Sequence, residues 1–556
     1  MKINDRLFDG YENTKLISYY GGENLPNTVP YENLPDSEVS GILKANYYKD
    51  GKLTQIYTRQ ENHAAVIAAT RLGKTTSYVI PTVLSFAHQK IKRSMVITDP
   101  KGEVYRYTKA TLEKQGYKIK LLNFRDCSHS ECWNPLTPVF RKYAEIKNIY
   151  GEVELVDDNG TPKNKFKGKI YENQNELDKD IENEKRMRLD SVETDLDNFA
   201  NMIIVTEAKR DPTWEDGARD LLRAFLHAML EDADLKTNPI TEDTFSLNTV
   251  FAIEKKFKNT DGHYDDGGYF SSRPDSSKAK ELAKNIILDT ASATRSSYVS
   301  VFKTKMSEYT EITTRKITAC NSFEMSELVT DGPVAVFIDF RDELKAQFKT
   351  IGLFIQDMYK YLIEQANTFK NGKLPVPWYF VLDEFGNFAK MKDFETTISA
   401  CAGRNIFFIL IMQSYAQLNN IYGRDVAEII RDNLNVHVFL GSNNPATLEE
   451  FSKECGQYTR LSPLTALNGK GAEPDSFQIE TIPLITKSRL SYLGEGECIV
   501  TEANCGYVML SKLERYYKCP EFNGLPESSE TEYVSKVNPL DKRYNYDFKA
   551  KPRKYW

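Results

Sequence analysis

The sequence feature that most constrains the fold is a Gly-Lys-Thr turn that directly follows a short apolar run. Together they read Ala64-Ala-Val-Ile-Ala-Ala-Thr-Arg-Leu-Gly-Lys-Thr-Thr76. In a phosphate-binding loop, an apolar strand leads into a loop whose backbone N–H groups surround phosphates, a lysine reaches the outer phosphates and a hydroxyl binds Mg²⁺. Lys74 and Thr75 have the side chains for the last two roles. The predicted nucleotide-binding residues are Thr70, Arg71, Leu72, Gly73, Lys74, Thr75 and Thr76.

Ala68 departs from the full phosphate-loop pattern. The pattern G-x-x-x-x-G-K-[ST] has glycine where this chain has Ala68. Alanine adds only a methyl group, but it resists a positive φ angle. Because short Gly-Lys-Thr matches also arise by chance, the interpretation requires a second half of the site elsewhere in the chain.

An acidic pair at the end of a later apolar run supplies that second half. Trp378-Tyr-Phe-Val-Leu-Asp-Glu384 predicts a strand that ends in two carboxylates. We expect Asp383 to hold Mg²⁺, partly through water, and Glu384 to polarise the attacking water. The next buried strand, Ile406–Met412, ends at Gln413, which either contacts the γ-phosphate or caps a helix. A phosphate loop and an acidic strand end in one chain indicate an NTP hydrolase.

Short apolar runs alternate with helical patterns through much of the chain, which predicts an α/β fold with a mainly parallel sheet flanked by helices. Between about 138 and 300 the apolar spacing is helical, which predicts an inserted all-α domain with a polar excursion at about 140–195. The predicted organisation is an irregular lead-in at 1–60, a nucleotide-binding domain in two parts at 61–137 and 301–520, the insert at 138–300, and a polar tail at 521–556.

The composition limits the possible partners and compartments. A formal net charge of −6 excludes a strongly basic protein, so any contact with nucleic acid must be local. One candidate is Lys542–Trp556, which mixes basic and aromatic residues and predicts either stacking on single-stranded nucleic acid or a disordered tail. The longest apolar run, Ile406–Met412, is too short to span a membrane. Eight scattered cysteines without a signal peptide favour a cytoplasmic protein.

The chain contains a series of short motifs whose order resembles that of the type IV secretion coupling proteins, the VirD4/TraG family of conjugation ATPases. The motifs run from about Ala64 to Thr459, and their succession is more specific than any one of them. They are Ala69-Thr-Arg-Leu-Gly-Lys-Thr75, Asp99-Pro-Lys-Gly-Glu103, Trp133-Asn-Pro-Leu136, Trp214-Glu-Asp-Gly-Ala-Arg219, Thr294-Arg-Ser-Ser297, Leu382-Asp-Glu-Phe-Gly386, Gly403-Arg-Asn405, Gln413-Ser-Tyr-Ala-Gln-Leu418, Tyr422-Gly423 and Leu440-Gly441.

The resemblance implies a RecA-like P-loop domain interrupted by an all-α domain, assembled as a ring of six subunits around DNA. Members use ATP and Mg²⁺ to deliver relaxase-bound single-stranded DNA to a secretion channel. Carried onto this chain, Lys74, Glu384, Arg404 and Gln413 are the catalytic candidates, and Thr75 and Asp383 are the Mg²⁺ candidates. Arg404 is similar in position to a residue that reaches into the neighbouring subunit, although a surface salt bridge is the alternative.

Most members of this family carry an N-terminal membrane anchor, and this sequence lacks one. We therefore expect either a member that docks on a membrane partner or secretion-channel ATPase at the inner face of the membrane, or a shortened chain. Two other functions stay open. The chain could be a substrate receptor in which nucleotide is structural, or a hexameric DNA pump of the chromosome-segregation type, against which the Trp214–Arg219 and Gln413–Leu418 motifs argue.

Overall fold

The computed structural model describes residues 17–19, 27–158, 161–205, 212–260, 263–307, 309–329, 332–463, 477–505, 508–522, 525–538 and 541–544. The chain divides into two compact units. Unit 1 comprises Met1–Asn123, Met325–Phe348 and Met358–Tyr533, and unit 2 comprises Phe124–Glu324, Lys349–Asp357 and Val534–Trp556.

The strands of the described residues are numbered in chain order. They are β1 Ile17–Tyr19, β2 Thr28–Pro30, β3 Leu43–Lys49, β4 Lys52–Tyr57, β5 Ala64–Ala68, β6 Ser94–Asp99, β7 Lys118–Asn123, β8 Glu154–Asp158, β9 Thr161–Phe166, β10 Lys169–Tyr171, β11 Lys258–Thr260, β12 His263–Asp265, β13 Val334–Asp339, β14 Trp378–Leu382, β15 Ile406–Met412, β16 Val436–Gly441, β17 Gln457–Pro463, β18 Phe477–Pro483, β19 Glu497–Glu502 and β20 Val508–Lys512.

The α-helices are numbered in the same way. They are α1 Ile80–His88, α2 Glu103–Lys114, α3 Thr137–Lys147, α4 Gln174–Ile203, α5 Thr213–Asp232, α6 Leu247–Glu254, α7 Lys278–Ala283, α8 Ser292–Ser307, α9 Ile312–Ile317, α10 Lys345–Thr368, α11 Phe394–Cys401, α12 Tyr415–Tyr422, α13 Arg424–Asp432, α14 Pro445–Glu454 and α15 Lys487–Leu490. A π-helical segment, Lys74–Val79, leads directly into α1.

Unit 1 is built on one large sheet. Ten strands of its described residues lie in the order β1-β20-β19-β16-β5-β15-β14-β6-β13-β7. From β16 to β7 all neighbours are parallel, whereas β19 pairs antiparallel with both β16 and β20. The central strands β5, β6, β14 and β15 are buried along their whole length. Near-continuous apolar runs of this kind are typical of parallel strands that are covered on both faces.

Helices cover both faces of this sheet. Successive residues of a strand point to opposite faces, and β14 shows this with aromatic side chains. The Tyr379 ring packs on Phe86 of α1, with centroids 4.8 Å apart, whereas the Phe380 ring packs on Tyr359 of α10 at 6.4 Å. The observed arrangement is the α/β class with a mainly parallel sheet that the alternating sequence pattern predicts.

Residues 27–60 differ from the predicted irregular lead-in. They contain the antiparallel sheet β2-β4-β3, whose side chains Leu43, Leu53 and Ile56 join the core of unit 1. The hairpin between β3 and β4 turns at Asp50-Gly51, where both residues have a positive φ. Asp-Gly between two apolar runs is a strong hairpin signal. The prolines and glycines farther upstream favoured an irregular segment, and the hairpin signal was therefore not used.

Unit 2 is longer at both ends than the predicted insert at 138–300. The segment before the insert hydrogen-bonds to the segment after it, since Trp133 N–H donates to the Ile317 carbonyl at 2.8 Å. These paired segments therefore lie in one unit. The unit is mainly helical, but it also contains the antiparallel sheet β10-β9-β8 and the pair β11-β12, which an all-α insert does not include. The polar excursion corresponds to the small sheet and the long charged helix α4.

The C-terminal stretch contributes to both units. In unit 1, Ser528 N–H donates to the Arg106 carbonyl at 2.9 Å. In unit 2, the Tyr544 ring packs in a small cluster with Cys132 and Cys320. Residues 545–556, which hold most of the basic and aromatic side chains predicted to contact nucleic acid, lie outside the described residues. Among the helices that the structure describes, none has the length and the apolar character needed to cross a membrane.

Candidate functional site

The two predicted halves of the phosphate site meet at one edge of the large sheet. The strand order places β15 between β5 and β14, and all three are parallel. Their carboxyl ends therefore lie side by side, and that edge is where ligands bind in open α/β sheets. The loop after β5, the acidic pair after β14 and Gln413 after β15 are brought together although more than 300 residues separate the first two.

The phosphate loop runs from the end of β5 to the π-helical turn at Lys74. Ala68 is the last residue of β5, fully buried and paired with Gly441 of β16, and its φ is not positive. Alanine is therefore compatible with this position. The left-handed residues are Arg71, with φ 69°, and Gly73, with φ 83°. The predicted binding residues Thr70, Arg71 and Leu72 are exposed, and Gly73, Lys74, Thr75 and Thr76 are half-buried.

Lys74 forms ion pairs with both predicted carboxylates. Its Nζ hydrogen-bonds to Glu384 Oε1 and lies 3.2 Å from Asp383 Oδ1. Burial opposes the charge of Lys74, but the two carboxylates outweigh burial and raise its pKa. Burial also raises the pKa of Asp383, and the charge of Glu384 adds to this while Lys74 opposes it. The cation and the two anions are thus mutually dependent in a largely buried site.

Thr75 and Asp383 form an oxygen pair suited to Mg²⁺. The Thr75 hydroxyl donates to Asp383 Oδ2 at 3.2 Å, and Asp383 is fixed by Glu384 N–H, which donates to its Oδ1 at 2.8 Å. Mg²⁺ is usually held in proteins by one or two such oxygens together with water and phosphate oxygens. One hydroxyl and one carboxylate therefore fit this ion.

Glu384 has an unusual backbone conformation. Its φ of 57° and ψ of 31° place a non-glycine residue in the left-handed region, which costs energy and is found preferentially at functional sites. Asn387 Nδ2 donates to Glu384 Oε2 at 3.0 Å and thereby orients the carboxylate. Asn387 is not among the site residues predicted from the sequence. Its only signal was a polar residue three positions after the acidic pair.

Gln413 completes the group on the far side of Glu384. Its Nε2 lies 3.4 Å from Glu384 Oε2, within hydrogen-bonding distance. Its backbone N–H donates to Gln417 Oε1 at 2.8 Å, and Ser442 Oγ donates to its carbonyl at 3.2 Å. The side chain therefore contacts the predicted catalytic base rather than capping α12.

Asp99 is a second residue that the catalytic predictions omitted. It ends β6, next to β14, and it is fully buried. Tyr105 N–H donates to its Oδ2 at 2.8 Å. Burial raises the pKa of Asp99 to about 7, backbone hydrogen bonds oppose the shift, and the charge of Asp383 adds to it. Its position in the Asp99–Glu103 motif was the available signal.

Arg404 is not part of this group. It precedes β15, whereas Gln413 follows it, and a strand of this length spans about 23 Å. At its own edge of the sheet, Arg404 Nη1 donates to the Ala400 carbonyl at 2.8 Å and Nε contacts Asn367 Oδ1 at 3.4 Å. Arg404 therefore lies at the edge of the sheet opposite its own chain's phosphate loop.

A family profile described as "Type IV secretory system Conjugative DNA transfer" matches residues 30–539. The conjugal transfer protein TraG of Escherichia coli is 25% identical over 473 residues, which cover 80% of this chain and 64% of that protein. Protein VirD4 of Agrobacterium fabrum is 23% identical over 465 residues, which cover 82% of this chain and 59% of that protein. The chain thus spans less than two thirds of the length of these relatives.

Solved structures provide an independent comparison of the fold. The plasmid coupling protein TrwB in complex with ADP and Mg²⁺ aligns over 82% of this chain and 85% of its own, with a TM-score of 0.54 and 16% identity. The TrwB form in complex with sulphate has a TM-score of 0.55 and 14% identity, over 81% of this chain. The predicted RecA-like P-loop fold class and the resemblance to VirD4/TraG proteins are both confirmed.

Proposed function

The chain belongs to the family of type IV secretory system proteins for conjugative DNA transfer, and on this premise we propose that it is an ATP-dependent coupling protein of a conjugative secretion system. In this proposal it recruits relaxase-bound single-stranded DNA and delivers it to the secretion channel. ATP hydrolysis at the Lys74 site provides the energy.

The observation that carries the proposal is the convergence of Lys74, Thr75, Asp383, Glu384 and Gln413 at one edge of the sheet. The group combines a phosphate-binding cation, two oxygens for Mg²⁺, a carboxylate base and an amide beside that base. These are the parts that phosphoryl transfer to water needs. A purely structural ion pair would not explain the strained backbone of Glu384 or the contact with Gln413.

The ion pair defines the first step when nucleotide binds. Lys74 leaves Glu384 and binds the outer phosphates, so Glu384 is freed to accept a proton from water. Thr75 and Asp383 would hold Mg²⁺, which supplies positive charge at the phosphate oxygens. Gln413 keeps its contact with Glu384 and orients the same water. Because Gln413 is also predicted to contact the γ-phosphate, its position depends on whether that phosphate is present.

Arg404 is proposed to act in a neighbouring subunit of a hexameric ring. It lies at the opposite edge of the sheet, so it is suited to a site on another copy rather than its own. An arginine supplied in trans stabilises charge on the transferring phosphoryl group, and hydrolysis then requires assembly. The DNA would pass through the ring, and the ring would act at the inner face of the cell membrane beside channel ATPases or a membrane partner.

The proposal is tested by ATPase rates at increasing protein concentration, with and without circular single-stranded DNA. We expect DNA to stimulate hydrolysis only where oligomers form, and Lys74→Ala and Glu384→Gln to lower the rate on the order of 100-fold or more. Lys52→Ala, which alters the exposed Lys52–Glu32 pair at the small sheet β2-β4-β3, is the control and should leave the rate unchanged. Equal hydrolysis with and without DNA at ring-forming concentrations contradicts the motor function.

Mixing two inactive variants tests the role of Arg404. A subunit with Arg404→Ala keeps an intact phosphate loop, and a subunit with Lys74→Ala keeps Arg404. If Arg404 acts in trans, mixed oligomers regain part of the activity that either variant lacks alone. No recovery, in mixtures shown by sedimentation to assemble, argues against a trans arginine at this position.

A pull-down combined with a DNA-transfer assay separates the motor from a substrate receptor in which nucleotide is only structural. Both functions predict that relaxase is captured from donor-cell extract by the wild type and by Glu384→Gln. Only the receptor function predicts that DNA transfer in donor cells also survives Glu384→Gln. Loss of transfer with retained capture therefore supports the motor.

A further inference from the structure

Arg515 of unit 1 lies beside the phosphate loop. The segment that follows β20 brings Arg515 Nε within 3.6 Å of the point that a Cβ atom on Gly73 would occupy. The other two atoms nearest to this point are Ser77 Oγ at 3.0 Å and Thr76 Oγ1 at 3.2 Å. Arg515 therefore approaches the loop on the side of the first helical turn, next to the backbone of Gly73.

The backbone on both sides of Arg515 is anchored. Before it, Leu513 N–H donates to the Gly496 carbonyl at 2.8 Å and Glu514 N–H donates to the Asn46 carbonyl at 2.8 Å. After it, the Tyr516 ring packs on Tyr107 of α2, with centroids 5.1 Å apart. Arg515 is thus held beside the loop by contacts that do not depend on its own side chain.

The Arg515 guanidinium group is partly exposed, and the carboxylate that it pairs with is exposed. Its Nη1 donates to the Tyr517 hydroxyl at 2.5 Å, and its Nη2 lies 3.5 Å from Glu495 Oε1, a carboxylate that Lys518 Nζ also contacts at 2.8 Å. The Arg515 side chain is 30% exposed and that of Glu495 is 62% exposed. Exposed ion pairs of this kind contribute little, so a phosphate group can replace Glu495 at small cost.

We propose that Arg515 is a phosphate-binding residue supplied in cis, which contacts the inner phosphates of the nucleotide beside Gly73. This inference rests on the proposed nucleotide site and deepens it. In phosphate loops the backbone surrounds the α- and β-phosphates while the lysine reaches the outer ones. Arg515 lies beside Gly73, Thr76 and Ser77, which belong to the inner part of that loop. Its fork of N–H donors suits phosphate oxygens.

This role differs from that proposed for Arg404 in a measurable way. A residue that binds nucleotide in cis affects affinity in a monomer, whereas a trans arginine affects hydrolysis in a ring. Arg515 should therefore contribute at protein concentrations where sedimentation shows only monomers. It should also affect ADP, which contains the inner phosphates, and pyrophosphate, which offers two linked phosphates to the same positions, and leave adenosine unaffected.

The test is equilibrium binding of a fluorescent ADP to monomers in the presence of Mg²⁺, with ADP, pyrophosphate and adenosine as competitors. We expect Arg515→Gln to weaken ADP and pyrophosphate about tenfold or more, because a charge-assisted hydrogen bond is lost. Arg515→Lys should be intermediate. The matched control is Lys518→Gln, which removes a neighbouring positive charge that shares Glu495 and should change affinity less than about twofold.

Each outcome has one meaning. If Arg515→Gln and Arg515→Lys bind ADP as tightly as the wild type, the inference is overturned while the nucleotide site stands. If Lys518→Gln weakens binding as much as Arg515→Gln, the loss of any nearby positive charge explains the effect, and the inference is also overturned. If the wild type itself binds no ADP, the proposed ATPase function fails together with it. Circular dichroism of each variant verifies that it is folded.

Discussion

Replacing Lys74 with alanine should destabilise the nucleotide-free protein, because this lysine is the cation that two largely buried carboxylates share. The side chains of Lys74, Asp383 and Glu384 are 14%, 2% and 12% exposed. At the 3.2 Å separation of Lys74 Nζ and Asp383 Oδ1, an effective dielectric constant of about 20 gives a Coulomb attraction of about 5 kcal/mol. Part of this offsets the desolvation of the charges. Removing one partner of a buried pair costs about 3–5 kcal/mol, and we expect about 3 kcal/mol here.

The measurement is urea unfolding without nucleotide, followed by circular dichroism, for the wild type, Lys74→Ala and the double variant Lys74→Ala/Glu384→Gln. The double variant should recover about half of the loss, since one of the two uncompensated carboxylates is removed. Lys52→Ala is the matched control because the Lys52–Glu32 pair is 62% and 56% exposed, and it should change stability by less than about 1 kcal/mol.

The pH dependence gives a second check with a fixed sign. The pKa of Asp383 is already raised in the folded protein, so the folded state binds its proton more tightly than the unfolded chain does. Without Lys74 the pKa of Asp383 should be raised further. The loss of unfolding free energy in Lys74→Ala should therefore increase as pH rises and become smaller in acid. A deficit that is independent of pH, or a double variant no more stable than Lys74→Ala, would refute the electrostatic reasoning.

Three further predictions concern other residues of unit 1. Lys44→Ala should lower the free energy of unfolding by about 3–5 kcal/mol in urea titrations, because Glu502 would lose a buried partner at 2.7 Å, whereas Lys44→Ala combined with Glu502→Gln should cost less. His437→Gln should be most destabilising between pH 4.5 and 6.5. The pKa of His437 is raised, so its contribution to the free energy of unfolding is complete below pH 6.5 and is lost as pH rises. The pKa of Glu454 is lowered, so its contribution is present above pH 4.5 and is lost in acid. Gly73→Ala should cost about 1–2 kcal/mol in thermal unfolding, because its φ of 83° is left-handed; an unchanged melting temperature would count against strain there.

The parts of the site that the sequence predicts are those with a local pattern. The apolar run before Lys74 and the run before Asp383 each identify a strand with a functional end, and parallel strands bring such ends to one edge. The ion pair between Lys74 and Glu384 could not be predicted, since it depends on which strand lies between β5 and β14. Arg515 was missed for the same reason. It belongs to no motif, and its place beside Gly73 results from the antiparallel pair β19–β20 that precedes it.

The Lys74–Glu384 ion pair means that, in the proposed mechanism, Lys74 must leave Glu384 when nucleotide binds. In the proposed mechanism, Lys74 holds Glu384 while nucleotide is absent, and the Glu384 carboxylate is not free to accept a proton from water. The phosphates that would attract Lys74 are those of the substrate itself, so Glu384 would become available as a base only when substrate is bound. Arg515 is held beside Gly73 by contacts with Tyr517 and Glu495, so in our proposal it binds phosphate without that exchange. The two proposals together predict that the inner phosphates bind first, beside Arg515, and that the outer phosphate then separates Lys74 from Glu384.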